Sequence, residues 1–189
     1  MSIVATEVRP DGIRLAADSQ ITLGMSADTR DKYAKIVVSP LGFVAGCVGY
    51  AETASLLALY TETRIPQNAT ELDIFRFMNE FNQWAEEHGA EGPLTHSGFH
   101  ILWGGRAFEM IGHSVRAIES WAAIGSGADY AQTAFHLGKD AITAAFIACD
   151  LNIFCGPPVT VVDCSIQGDN DDAEIRIDIS EHSVLPQEV

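Results

Sequence analysis

The sequence is poor in positive charge, with 11 Lys plus Arg against 26 Asp plus Glu and a formal net charge of −15. Nucleic acids and anionic membranes bind proteins that neutralise their phosphates, so this deficit argues against both as partners. Long apolar runs are also lacking, and none approaches the roughly 20 residues that cross a bilayer. The start, Met1-Ser2-Ile3-Val4-Ala5, has neither the basic residues nor the apolar stretch and small-residue cleavage site of an export signal. The expected location is therefore cytoplasmic. Cysteine is scarce and unpaired in sequence: Cys47, Cys149, Cys155 and Cys164 form no CxxC motif and lie in apolar segments. Free buried thiols are expected, rather than disulfides or a zinc site. Internal repeats and low-complexity segments are absent.

What the chain does have is apolar content. Hydrophobic residues make up 47% and charged residues 20%, which excludes disorder. A length of 189 residues suits one domain, 1–189, with a proper core.

Residues 2–8 and 13–18 are β-rich and flank Arg9-Pro10-Asp11-Gly12, a turn sequence, so they predict a hairpin. Strands are expected at 35–38 and 42–45, the latter running into Gly46-Cys47-Val48-Gly49. Helical spacing follows from Tyr50 to about Thr63, then over 71–88 behind the N-cap candidate Thr70. Short strands are expected at 99–104, 107–112 and 114–120, helices at 127–137 and 140–154, and strands at 159–165 and 174–179. This order is not the strand–helix alternation of a parallel sheet. It fits an α+β protein, a four-layer αββα sandwich of two antiparallel sheets covered by helices. Ile3-Val4-Ala5 and Ile36-Val37-Val38 lack clean alternation, which suits sheets buried on both faces.

That architecture draws attention to Ser2. Removal of Met1 ahead of a small residue would leave a hydroxyl and a free α-amine on one residue. An amine with an ordinary pKa of ~7.7–8.0 is a usable general base at neutral pH. Nucleophile and base would then share one residue, as in Thr/N-terminal-amine enzymes. Met-Ser alone carries almost no information, because Ser is common at this position.

The constellation downstream changes its weight. Asp18-Ser-Gln-Ile-Thr-Leu-Gly24 follows the hairpin, Lys35 opens a strand, Val44-Ala45-Gly46 ends the next, Gly125-Ser126-Gly127 opens a helix and Asp150 closes another. In these segments the chain resembles the proteasome β-subunit family of N-terminal nucleophile (Ntn) hydrolases, and within it the HslV-like bacterial branch. The resemblance covers roughly residues 2–165 and implies the Ntn-hydrolase fold and a threonine-type peptidase with Ser in the nucleophile's place. By position, Ser2 matches the nucleophile, Asp18 the carboxylate that orients the catalytic lysine, and Lys35 that lysine; Lys32 is a rival, in a loop of uncertain register. Gly46 matches the residue whose N–H forms the oxyanion hole, and Ser126 and Asp150 match the supporting Ser and Asp. The proteasomal Ser expected shortly after this Asp is Ile153 here. Thr22 matches the position that pairs with an extended substrate, and Tyr33, Val44 and Val48 fall near the first specificity pocket.

In the bacterial branch, backbone carbonyls corresponding to Cys149, Asn152 and Cys155 hold a monovalent cation, Na⁺ or K⁺; no other cofactor is implied. The resemblance further implies self-assembly into a double ring, a dodecamer or tetradecamer, that degrades unfolded polypeptides supplied by an ATP-dependent unfoldase. Two readings compete with a peptidase: an amidase for small substrates with the same N-terminal chemistry, and a catalytically silent ring if Met1 persists. Plain structural roles also compete at single positions, with Asp18 and Lys35 as a surface ion pair, Ser126 as an N-cap and Gly46 as a turn glycine.

Overall fold

A computed structural model describes residues 2–23, 26–28, 34–167 and 174–186. Strands β1 (Ile3–Arg9) and β2 (Gly12–Asp18) form the expected hairpin. Gly12 has φ +149°, and a Cβ there would stand 2.2 Å from the Cys164 carbonyl oxygen, so the neighbouring strand leaves no room for a side chain. A two-stranded ribbon follows, β3 (Ile21–Leu23) with β4 (Ser26–Asp28), then β5 (Ile36–Val38), β6 (Val44–Val48), α1 (Ala51–Thr61) and α2 (Glu71–Glu87). The Thr70 hydroxyl caps α2 by accepting the Asp73 N–H at 3.2 Å. The remainder comprises β7 (Gly98–Trp103), β8 (Arg106–Ile111), β9 (Ser114–Ala117), β10 (Trp121–Gly125), α3 (Ala128–His136), α4 (Ala141–Leu151), β11 (Val159–Gln167) and β12 (Glu174–His182).

Two five-stranded antiparallel sheets result, in the orders β10-β1-β2-β11-β12 and β5-β6-β7-β8-β9. Three apolar layers separate four structural ones, as the element order predicts. Ile3, Ala5, Ala16 and Val161 pack under α3 and α4, whereas Val4, Leu15, Val44 and Val162 fill the space between the sheets. Phe43, Phe99, Ile101 and Phe108 pack under α1 and α2. Successive strand residues thus enter different apolar layers, which explains the missing period-two alternation.

Several expected bounds shift, two of them with a plain physical reason. The segment expected as one strand over 114–120 ends at Ala117, and Trp121–Gly125 forms β10, the outer neighbour of β1. Only Trp121 and Ile124 favour a strand in that run, so pairing with β1 overrides a weak local preference. The fourth strand also runs three residues further than expected, to Val48, so the turn into α1 falls at Gly49, with φ +113°.

Charge is partly paired. Asp163 accepts from Arg9 and Arg14 at 2.8 and 2.9 Å, and Asp178 pairs with Arg176 at the surface. Asp169, Asp171 and Asp172 lie outside the described residues. Among the described residues no helix is long and apolar enough to cross a membrane.

A polar chain crosses the between-sheet layer. His100 on β7 is fully buried, its Nδ1 2.8 Å from Thr6 Oγ1 on β1 and its Nε2 3.5 Å from Glu109 Oε2 on β8. Glu109 also accepts from Arg116 Nε at 2.7 Å. A charged Glu109 favours the tautomer with hydrogen on Nε2, which makes Nδ1 the acceptor for the Thr6 hydroxyl. Burial pushes the His100 pKa down against the attraction of Glu109. For Glu109, burial raises the pKa, but the nearby His100 ring and the hydrogen bond from Arg116 more than offset that and hold it at about 2. Both shifts weaken the fold in acid. The unfolded chain protonates His100 near its ordinary 6.5 while the folded chain resists, and Glu109 adds a loss as pH falls from 4.5 towards about 2. Denaturant midpoints should fall as pH drops below 6.5, and His100→Gln should reduce that dependence; an unchanged slope in the variant would refute the assignment.

Candidate active site

The site forms where five chain segments meet at one end of the sandwich. Asp18 closes β2 with its side chain wholly buried, and Lys35, just before β5, brings Nζ to 2.6 Å from Asp18 Oδ1. The Ile3 N–H donates to the same oxygen at 2.9 Å. The N–H groups of Gln20 and Gly156 each donate to Oδ2 at 3.2 Å. Each oxygen therefore has two donors, as a buried carboxylate requires if its charge is to survive desolvation. Asp18 and Lys35 form a buried pair joining the two sheets, not a surface pair.

Ser2 precedes β1 and is itself 3% exposed. Its N–H donates to Ser126 Oγ at 3.1 Å, and its carbonyl accepts from Gly127 N–H at 3.2 Å. Gly125 makes this clasp possible. It holds φ +103°, and a Cβ there would lie 2.2 Å from the Ser2 carbonyl oxygen. The helix cap of α3 is Gly127, with no side-chain cap bond, so Ser126 is not an N-cap.

The turn after α4 completes the site, and the sequence had marked it only for its carbonyls. Gln20 Nε2 donates to the Ile153 carbonyl, Ser19 Oγ to that of Pro158, and Ser19 N–H to that of Gly156, at 2.9, 2.7 and 3.2 Å. Ser19 and Gln20 sit inside the DSQ motif and so were visible as a segment, though their part in holding this turn was not. Gly156 carried no such signal. The Asn152 side chain donates to the Ser126 carbonyl. Cys155 Sγ lies 3.8 Å from Ser126 Oγ, and burial pushes its thiol up to about 11. Burial likewise raises Cys47 to about 12 and moves Cys149 upward. All four cysteines are free, and these three thiols stay protonated at neutral pH, which disfavours a cysteine nucleophile.

Other positions fall as follows. Asp150 is exposed on the last turn of α4, and no hydrogen bond among the described residues links it to Ser2 or Ser126. Gly46 lies within β6, opposite Ile36 and His100, and a Cβ there would stand 2.6 Å from Val4 Cγ1, so close sheet packing already demands glycine. The adjacent Cys47 N–H donates to the Lys35 carbonyl at 2.7 Å. Val44 is 0% exposed between the sheets. Val48 lines a cleft of about 480 Å³ with His96, Gly98, Gly125, Ala128 and Gln132, beside the Ser2 clasp. Thr22 pairs with Ala27 in the β3–β4 ribbon. Tyr33 and Lys32 lie outside the described residues. No cluster of three or more His, Cys, Asp or Glu able to hold a metal occurs among the described residues.

The architecture is an α+β sandwich of two antiparallel sheets covered by helices, and solved structures carry the same fold. The chain is similar to Thiobacillus denitrificans BPH in complex with epoxomicin, at 21% identity and TM-score 0.78, over 88% of this chain and 100% of that one. A second structure of Thiobacillus denitrificans BPH matches at 22% identity and TM-score 0.75 over the same shares. Eukaryotic HslV from Trypanosoma brucei matches at 22% and TM-score 0.60, over 84% of this chain and 97% of that one. No family model matches, and neither does any curated protein.

Replacing Lys35 by Met leaves the Asp18 charge buried without its partner and should lower stability by about 3–5 kcal/mol, whereas Arg176→Ala at the exposed pair should change it by less than ~1 kcal/mol. Denaturant titration of both variants checks the contrast. Equal effects would mean that the Asp18–Lys35 pair is solvated.

Proposed function

We propose that this chain is a proteasome-like N-terminal nucleophile peptidase with Ser2 as its nucleophile. The observation that carries the reading is the double anchoring of the chain start: Ser2 N–H on Ser126 Oγ, and the next N–H on the same Asp18 oxygen that holds Lys35. Once Met1 is removed, the Ser2 amine takes the proton of the Ser2 hydroxyl as Oγ attacks the peptide carbonyl carbon. The C–N bond then breaks, that proton passes to the departing amine, and an ester on Ser2 remains. Water, deprotonated by the same amine, hydrolyses the ester and restores the hydroxyl. The Lys35 ammonium favours an unprotonated amine and an ionising hydroxyl, and Asp18 orients that ammonium. The resemblance implies Gly46 N–H as the oxyanion donor, and Ser126, whose Oγ accepts the Ser2 N–H, supports the amine.

An extended polypeptide pairs along the Thr22 edge of the β3–β4 ribbon, which has no strand neighbour among the described residues. Val48 on the cleft wall shapes its first pocket, favouring apolar side chains. A Na⁺ or K⁺ ion would be held by the carbonyls of Cys149, Asn152 and Cys155. The Asn152 carbonyl accepts one N–H, from Cys155 at 3.0 Å, which leaves it a lone pair for the ion. The chain assembles with copies of itself into a double ring of 12 or 14 subunits, as the resemblance implies for this residue pattern, fed by an ATP-dependent unfoldase. Exposed Leu137, Leu151 and Ile153 offer apolar surface for subunit contacts.

Intact mass should show loss of Met1, and epoxomicin should label the processed protein on Ser2. Ser2→Ala should retain the assembly size in sedimentation but abolish labelling and peptide turnover. Continued turnover in that variant excludes the mechanism, and full retention of Met1 makes the chain a silent structural homologue. Turnover of small amides without unfolded protein would favour the amidase reading.

A further inference from the structure

The clasp on Ser2 is made by the turn after β10, and that turn is exposed at Gly125 and Ser126. Its rigidity must come from outside itself. The carbonyl of Ser126 accepts from Asn152 Nδ2, and Asn152 Oδ1 accepts the Phe154 N–H at 2.9 Å. One partner is an acceptor and the other a donor, so only one orientation of the amide satisfies both. The Asn152 backbone is fixed as well, since its N–H closes the last bond of α4 on the Ala148 carbonyl at 2.9 Å and its carbonyl accepts from Cys155. Ser126 Oγ in turn accepts the Ser2 N–H and lies 3.4 Å from the Ser2 carbonyl oxygen. A continuous hydrogen-bonded path thus runs from the end of α4 through Asn152 and Ser126 to the backbone nitrogen of Ser2. The other candidates near this turn do not reach it, because Asp150 is exposed and Ile153 is 74% exposed.

We propose that Asn152 is a positioning residue for the Ser2 amine, acting through Ser126. The inference rests on Ser2 being the nucleophile and its amine the base. Its part differs from the backbone-carbonyl role assigned to the same residue, because it uses the side-chain donor. Asn152 holds the Ser126 carbonyl, which orients the Ser126 hydroxyl towards the amine and keeps the amine lone pair available to the Ser2 hydroxyl. Side-chain chemistry separates this from a purely local role, since Asp retains the oxygen that accepts from Phe154 N–H but offers no donor to Ser126.

The test uses the full-length assembled protein with Met1 removed. Rates of covalent labelling by epoxomicin are measured as a function of its concentration, on the high-pH plateau, for wild type, Asn152→Asp and Asn152→Ala. Melting temperature and sedimentation are recorded alongside. Wild type that does not label defeats the nucleophile assignment itself, independently of Asn152. Given labelling of wild type, the expected result is a maximal labelling rate about tenfold lower in both variants, a size typical of one lost hydrogen bond, with unchanged half-saturating concentration and unchanged assembly. Wild-type rate in Asn152→Asp overturns the proposal, because the turn bond to Phe154 then suffices. A slow rate in Asn152→Asp accompanied by a lower melting temperature or loss of assembly overturns it too, in favour of a structural role.

Discussion

Satisfying one buried carboxylate organises this end of the molecule. Asp18 is removed from water, so its charge persists only where donors surround it, and those donors come from β1, the segment after β2, the residue before β5 and the turn before β11. These segments lie far apart in the sequence. Bringing them to one carboxylate fixes the position of the chain start, the approach of the second sheet and the course of the turn after α4. The ammonium of Lys35 is the member of this set that crosses between sheets, so the sandwich must close before the carboxylate is neutralised.

The packing layers differ in a way that serves this arrangement. Under α1 and α2 the filling is aromatic, with Phe43, Tyr60, Phe77, Phe81, Phe99 and Phe108. Under α3 and α4 it is largely alanine, including Ala5, Ala16, Ala123, Ala131, Ala134, Ala141, Ala144, Ala145 and Ala148. Small side chains let helices lie close to a sheet. The end of α4 can then reach both the Ser126 turn and the Asp18 carboxylate with short polar groups and backbone amides. A bulkier layer would hold the same helix too far out for either contact.

Much of this was legible beforehand, and the exceptions have physical causes. The hairpin at Pro10-Asp11-Gly12, the Thr70-capped helix and the breaks at Gly138 all follow from local chemistry, and each appears close to its expected place. The layered architecture followed from the order of elements. Strand β10 escaped notice because alanines dominate it and its stability comes from a partner strand more than a hundred residues away. Among the candidate site residues, Ser2, Asp18, Lys35 and Ser126 lie together at one end of the sandwich. Thr22 and Val48 lie on the ribbon and the cleft wall, whereas Asp150 faces solvent and Val44 is sealed in the core. Asn152 and Gly156 contribute through a side-chain amide and a backbone N–H whose partners are set only by the tertiary fold. Such roles leave little trace in residue type or spacing.

The strand order has a kinetic meaning. The sheet β5-β6-β7-β8-β9 is a meander of consecutive strands, whereas the other sheet pairs β1 with β10 and β2 with β11. Closing long loops costs more entropy than closing short ones, and contacts distant in sequence form slowly. The meander with its two helices therefore has the lower entropic barrier, and the sheet carrying Ser2 completes afterwards on that template, once the chain beyond residue 121 is available. The chain start, made first, is among the last parts to reach its final place.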